Sequence, residues 1–110
     1  MDLLQELAAV ADSRRQEVFK LPTGGELVLI EMSASDFVDL QKKTEPLHEN
    51  GDFSAANALT VITCCKQLKE QEAEALQLLR NWPRDLLDSA VKACARINGL
   101  ALDDDEKKTT

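Results

Sequence analysis

Phe19-Lys20-Leu21-Pro22-Thr23-Gly24-Gly25-Glu26-Leu27-Val28-Leu29, running on into Met32-Ser33-Ala34-Ser35-Asp36-Phe37, is the stretch that decides the fold. Glu17 to Leu21 carries the β-branched and aromatic content of a strand. Pro22 fixes one φ and the glycine pair tolerates positive φ, which is what a chain reversal needs. Glu26 to Met32 then returns as a second strand. A four-residue turn pairs Leu21 with Glu26, which puts Phe19, Leu21, Val28 and Ile30 on one face and Val18, Leu27 and Leu29 on the other. A lone hairpin is marginal in water, so helices must cover at least one of these faces.

Working outward, Ser33 and Asp36 form a helix-start signature, a hydroxyl followed three residues later by a carboxylate. The helix runs to about Lys43 and buries Phe37 and Leu40, before Pro46 and Glu49-Asn50-Gly51-Asp52 impose a loop. A third helix begins near Ser54 with Ala55, Ala58, Leu59, Ile62, Cys65 and Leu68 at three-and-four spacing. Glu70 to Trp82 reads as a short helix, and Pro83 opens a last one whose apolar stripe is Leu86, Leu87, Ala90, Val91, Cys94 and Ile97. Asn98-Gly99 ends it.

Upstream of the hairpin, Asp2 and Gln5 have capping-box spacing, and Leu3, Leu4, Leu7, Ala8 and Ala11 share a helical face, which predicts an amphipathic helix over 2–12. The expected architecture is therefore α+β and predominantly helical: an N-terminal helix, one β-hairpin, then about four helices in a small bundle. A chain of 110 residues fits one domain, expected over 1–102. Residues 103–110, Asp-Asp-Asp-Glu-Lys-Lys-Thr-Thr, lack apolar side chains and are expected to form a disordered acidic tail.

Composition narrows the function. Thirteen Lys and Arg against twenty Asp and Glu give a net charge of −7, which repels nucleic acid and anionic membranes. The apolar runs are too short for a bilayer span, and the acidic start does not resemble a secretory signal, so cytoplasmic residence is expected. Cys64, Cys65 and Cys94 fit neither a disulfide framework nor a zinc site and read as small buried hydrophobes. His48 is the one histidine, in a segment read as loop, and Gly24-Gly25 leads into a strand rather than into the helix start that cradles phosphate. No catalytic, cofactor-binding or metal-ligating residue is therefore assigned, and no enzyme activity is expected. The residues singled out for partner contact are Leu78 and Trp82, near the corner between the last two helices, and Leu100 and Leu102, beyond the final cap. Trp82 also reads as a structural plug in that corner. Self-association is a further expectation, from a hairpin apolar on both faces with unpaired edges.

The order of these pieces resembles that of the small tail assembly chaperones of tailed bacteriophages and prophages. The resemblance covers roughly residues 16–102. It lies in the Gly-Gly hairpin opening onto the capped helix at Ser33, and in Leu76-Gln77-Leu78-Leu79-Arg80-Asn81-Trp82-Pro83-Arg84-Asp85-Leu86-Leu87 followed by Ile97-Asn98-Gly99-Leu100. It implies a non-catalytic chaperone in the cytoplasm of a bacterial host, with the tape measure protein as client and the tail tube protein as a second contact. In many members of that family a ribosomal frameshift near the 3′ end of the gene appends a second domain. The alternative class is an acidic adaptor or inhibitor that mimics nucleic acid or blocks a basic protein partner.

Overall fold

The computed structural model describes residues 2–99, so Leu100, Leu102 and the acidic segment 103–110 lie outside the described residues. Strands β1 (Gln16–Lys20) and β2 (Glu26–Ile30) pair antiparallel, with Lys20 opposite Glu26, Phe19 opposite Leu27 and Glu17 opposite Leu29. The register differs by one residue from the four-residue-turn reading. The loop closes instead on two bonds, Leu21 N–H to the Gly25 carbonyl at 2.8 Å and Gly24 N–H to the Leu21 carbonyl at 2.9 Å, with Gly24 at φ +102°. Because side chains alternate, a one-residue slip exchanges the faces. Phe19, Leu27 and Leu29 point to the core, Leu29 with no exposed surface, while Val18 and Val28 face outward.

Six helices complete the described residues: α1 (Leu3–Ala11), α2 (Ala34–Glu49), α3 (Phe53–Cys64), the single turn α4 (Lys66–Lys69), α5 (Glu72–Arg80) and α6 (Arg84–Ile97). The chain is α+β and predominantly helical, and no helix among the described residues is long and apolar enough to cross a membrane.

Helix α2 starts as its sequence predicts, with the Asp36 amide donating to Ser33 Oγ at 3.0 Å and the Ser33 amide donating to Asp36 Oδ2 at 3.4 Å. It does not stop near Lys43. It runs through Pro46 to Glu49 and ends at Asn50-Gly51, where Gly51 takes φ +75°. Proline removes one donor near the end of a helix already held by earlier turns, and the Asn50 amide still reaches the Pro46 carbonyl at 3.1 Å. Leu40 is buried as expected, but Phe37 is exposed, since Leu40 and Thr44 define the inward side.

The core is centred on α3. Ala55, Ala58, Leu59, Val61, Ile62 and Cys64 are buried on it, and α2, α5 and α6 pack around it. The periodic run reaching Leu68 is interrupted at Cys65, which leaves the helical region at φ −122°, ψ 104°. The preceding Thr60-Val61-Ile62-Thr63 is a β-branched run of modest helix propensity. The break sends Cys65 fully into the core and restarts the chain as α4. Helix α6 buries Leu87, Ala90, Ala93, Cys94, Ala95 and Ile97 against α3 and the inner face of the hairpin. An ion pair between Arg96 Nη2 and Glu17 Oε2 at 2.6 Å ties its outer side to β1.

Candidate functional site

Helix α1 is formed by local signals. Gln5 N–H donates to Asp2 Oδ1 at 2.8 Å, and Asp2 N–H donates back to Gln5 Oε1 at 3.2 Å, closing a capping box. At 100° per residue, Leu3, Leu4, Leu7, Ala8, Val10 and Ala11 occupy an arc of about 160°, and Gln5, Glu6 and Asp12 lie outside it. An arc this wide is what a core-facing helix presents. Yet no residue of α1 is buried: Leu3 is 68% exposed, Leu4 75%, Leu7 56% and Val10 69%. The link Asp12–Arg15 is exposed throughout as well.

A nine-residue helix is short of the roughly 12–15 residues at which isolated helices begin to hold in water. Its capping box satisfies free amide donors at the start, but the helix has no buried contact with its own fold. The helix and its stripe are legible in the sequence, but the exposure of the stripe is not. The available signal was the polar link Asp12-Ser13-Arg14-Arg15, which sets an apolar helix apart from the hairpin-and-helix body.

The residues singled out at the other end of the molecule divide. Leu78, on α5, is 63% exposed. Trp82, just past α5, is half-buried and packs on the core, with its amide donating to the Leu79 carbonyl at 3.1 Å. That is the contact of a plug between α5 and α6. Leu100 and Leu102 lie outside the described residues. A smaller exposed cluster occurs where α2 meets α3: His48 belongs to the last turn of α2 rather than to a loop, and its ring centroid lies 5.8 Å from that of the exposed Phe53.

The surface also carries an open cleft of about 520 Å³ between the hairpin exit and α4, edged by Arg14, Glu31, Asp36, Lys66, Lys69 and Glu70. Its charges are largely committed to one another. Asp36 receives Lys69 Nζ at 3.4 Å and Arg14 Nη1 at 3.9 Å, and Glu31 is held by Arg15 Nη2 at 3.3 Å. Burial pushes the Asp36 carboxyl up, but the Ser33 amide and hydroxyl and the Lys69 ammonium outweigh it and hold the group below its ordinary value. The Glu31 carboxyl is also held low, chiefly by the Arg15 backbone amide and then by its guanidinium.

Beneath the cleft, Cys64 and Cys94 are both buried in the core, and Asn98 Nδ2 donates to Cys64 Sγ at 3.5 Å. The neighbouring Cys64 sulfur and burial push the Cys94 thiol up. All three cysteines are buried and free. Among the described residues, no three His, Cys, Asp or Glu side chains gather into a group that would hold a metal ion.

No family model, curated protein or solved structure matches the chain.

Proposed function

We propose that the chain is a non-catalytic binding protein of the phage tail assembly chaperone type, which covers the apolar surface of a long helical client, the tape measure protein, in the cytoplasm of a bacterial host. The observation that carries the binding part of this reading is α1, which precedes the stretch 16–102 of the family resemblance and is a capped amphipathic helix with an apolar arc that its own fold leaves in water. An amphipathic helix recognises another helix, or a groove, through anchors at three-and-four spacing, and Leu3, Leu7 and Val10 have that spacing. A long unassembled helix exposes a comparable stripe that promotes aggregation. Many small copies along one client gain avidity, and a net charge of −7 per copy keeps such an assembly dispersed. The order of hairpin, capped helix and proline-stepped last helix supports the family reading.

Binding to a basic partner by imitation of nucleic acid calls for an uninterrupted carboxylate face. Here Asp36, Asp52, Glu72 and Glu17 are each joined to a Lys or Arg of another segment, which favours the chaperone reading over that alternative.

Co-expression with a tape measure protein, followed by affinity capture, tests the function. A soluble complex and a rise in soluble client are expected, and both are expected to fall when Leu7 is replaced by Asp. No complex with the wild-type chain would overturn it.

A further inference from the structure

The chain passes from α1 to β1 through a segment whose bonding changes at one residue. Up to Ser13 it follows α1: the Ser13 amide donates to the Val10 carbonyl at 3.1 Å, and the Ser13 hydroxyl donates to the same oxygen at 2.7 Å. From Arg15 onward it belongs to the hairpin, since the Glu31 amide donates to the Arg15 carbonyl at 2.8 Å. Arg14 alone stands between these two frames. We infer that Arg15 and Glu31 form a clamp that fixes the direction in which α1 leaves the body, so that the exposed helix and the body move as one unit; only the use of a fixed α1 to meet a client rests on the proposed function.

Three observations carry the clamp. The first is the number of bonds between the two residues. Glu31 Oε1 accepts from the Arg15 amide at 3.0 Å and from Arg15 Nε at 3.4 Å, while Oε2 accepts from Nη2 at 3.3 Å. With the backbone bond in the opposite direction, the residue before β1 and the residue after β2 are joined through main chain and side chain together. A lone exposed ion pair contributes little to order. A guanidinium forked onto a carboxylate that also holds a backbone amide is fixed by its geometry.

The second observation is what lies beside the guanidinium. A β-carbon at position 99 would stand 3.2 Å from Arg15 Nη2, so the glycine there gives the arginine room. Gly99 follows the end of α6 at φ +71°, and the C-terminal end of a helix favours a cation. Arg15, at the root of α1, thereby lies against the ends of both β2 and α6.

The third is the hold on Arg14. Its Nη1 lies 3.9 Å from Asp36 Oδ2 in the first turn of α2, and the same carboxylate takes Lys69 Nζ from α4 at 3.4 Å. Consecutive arginines thus reach two different elements, which restricts rotation at the junction between the frames. No residue of α1 is buried, so burial supplies no competing hold on its direction. A loose tether of four residues, Asp12–Arg15, would let the apolar arc search the surface of its own chain, where Val18 and Val28 are exposed on the outer face of the hairpin. A clamped one keeps the arc presented to solvent.

Backbone amide relaxation measured by NMR on the full chain tests the clamp. In the wild type, the amides of α1 are expected to tumble with those of α3 and α6, with order parameters of about 0.85. Glu31→Ala is expected to lower those of α1 below about 0.6 and to leave α3 and α6 unchanged. Glu31→Gln keeps an oxygen for the Arg15 amide but loses the charge, and is expected to fall between the two. Glu17→Ala removes a carboxylate from the same hairpin, the partner of Arg96, and is expected to leave α1 as ordered as in the wild type. A wild-type α1 that tumbles independently of the body, Glu31 variants in which α1 is as ordered as in the wild type, or equal loosening by Glu17→Ala would each overturn the inference. Because relaxation is read without a client, failed capture of the tape measure protein would overturn the proposed function and leave the clamp standing.

Discussion

Asn98 and Met32, 66 residues apart in sequence, are joined by a 2.8 Å hydrogen bond from the Met32 amide to Asn98 Oδ1. The other end of the same carboxamide donates to the Cys94 carbonyl at 2.7 Å and to Cys64 Sγ. One side chain thus closes the end of α6, the exit of the hairpin and the end of α3. Replacing Asn98 with Ala leaves a partly buried amide unpaired and is expected to cost about 1–3 kcal/mol in chemical denaturation. Asn98→Asp keeps the acceptor for Met32 but loses both donors, so it should also be less stable than wild type.

The hairpin register makes a prediction that the alternative register reverses. Leu29 has no exposed surface and Val28 is 37% exposed. Leu29→Ala is expected to lose about 2–5 kcal/mol and Val28→Ala less than about 1 kcal/mol, measured by urea unfolding at neutral pH. Equal costs, or the opposite order, would contradict the observed pairing.

Acid sensitivity follows from Asp36 and Glu31, whose carboxyls are held below their ordinary values. A group with a folded pKa below its unfolded pKa contributes fully above the unfolded value and loses that contribution as pH falls through the folded one. Stability is therefore expected to decline below about pH 4, within and under the usual carboxylate range. Asp36→Asn should make that decline shallower, as read from thermal midpoints across an acidic pH series.

Trp82 and Leu78 separate a packing role from a surface role. Trp82 packs on the core, so Trp82→Ala is expected to cost about 3–5 kcal/mol. Leu78 is largely exposed, and Leu78→Ala should stay within about 0.5 kcal/mol of wild type. A loss of client capture by Leu78→Ala at unchanged stability would extend the binding surface to α5.

Removing residues 1–12 deletes a helix with no buried residue and should leave the unfolding free energy of the body within about 0.5 kcal/mol at dilute concentration. A large loss would show that α1 supports the body.

Much of this architecture was legible because the signals were local. The Ser33–Asp36 and Asp2–Gln5 caps, the glycine reversal and the stripe of α6 each depend on neighbours within a few residues, and each formed where the sequence placed it. The misreadings concern choices made at longer range. A turn pairing Leu21 with Glu26 and the observed loop closed by Leu21 and Gly25 are both compatible with Pro22-Thr23-Gly24-Gly25, and the core selected between them by burying Leu29. Pro46 punctuates a sequence strongly, but α2 absorbs it because the missing donor falls near its end. Asn98 reads as a terminator, and its reach to Met32 depends on how α6 lies across the hairpin. The stripes of α1 and α6 show that amphipathicity records a helix's need for cover without recording which molecule supplies it. One is buried in the core and the other bare.

The dependence of the hairpin on α6 has a consequence for biosynthesis. The inner face of β1 and β2 rests on α6, and Glu17 and Met32 find their partners at Arg96 and Asn98. At translation rates of about 5–20 residues per second, the finished hairpin waits several seconds for those partners to be polymerised and longer for them to clear the exit tunnel. Through that interval Phe19, Leu27 and Leu29 lack the part of their cover that α6 supplies, so the nascent chain stays vulnerable to aggregation and proteolysis until its last helix emerges.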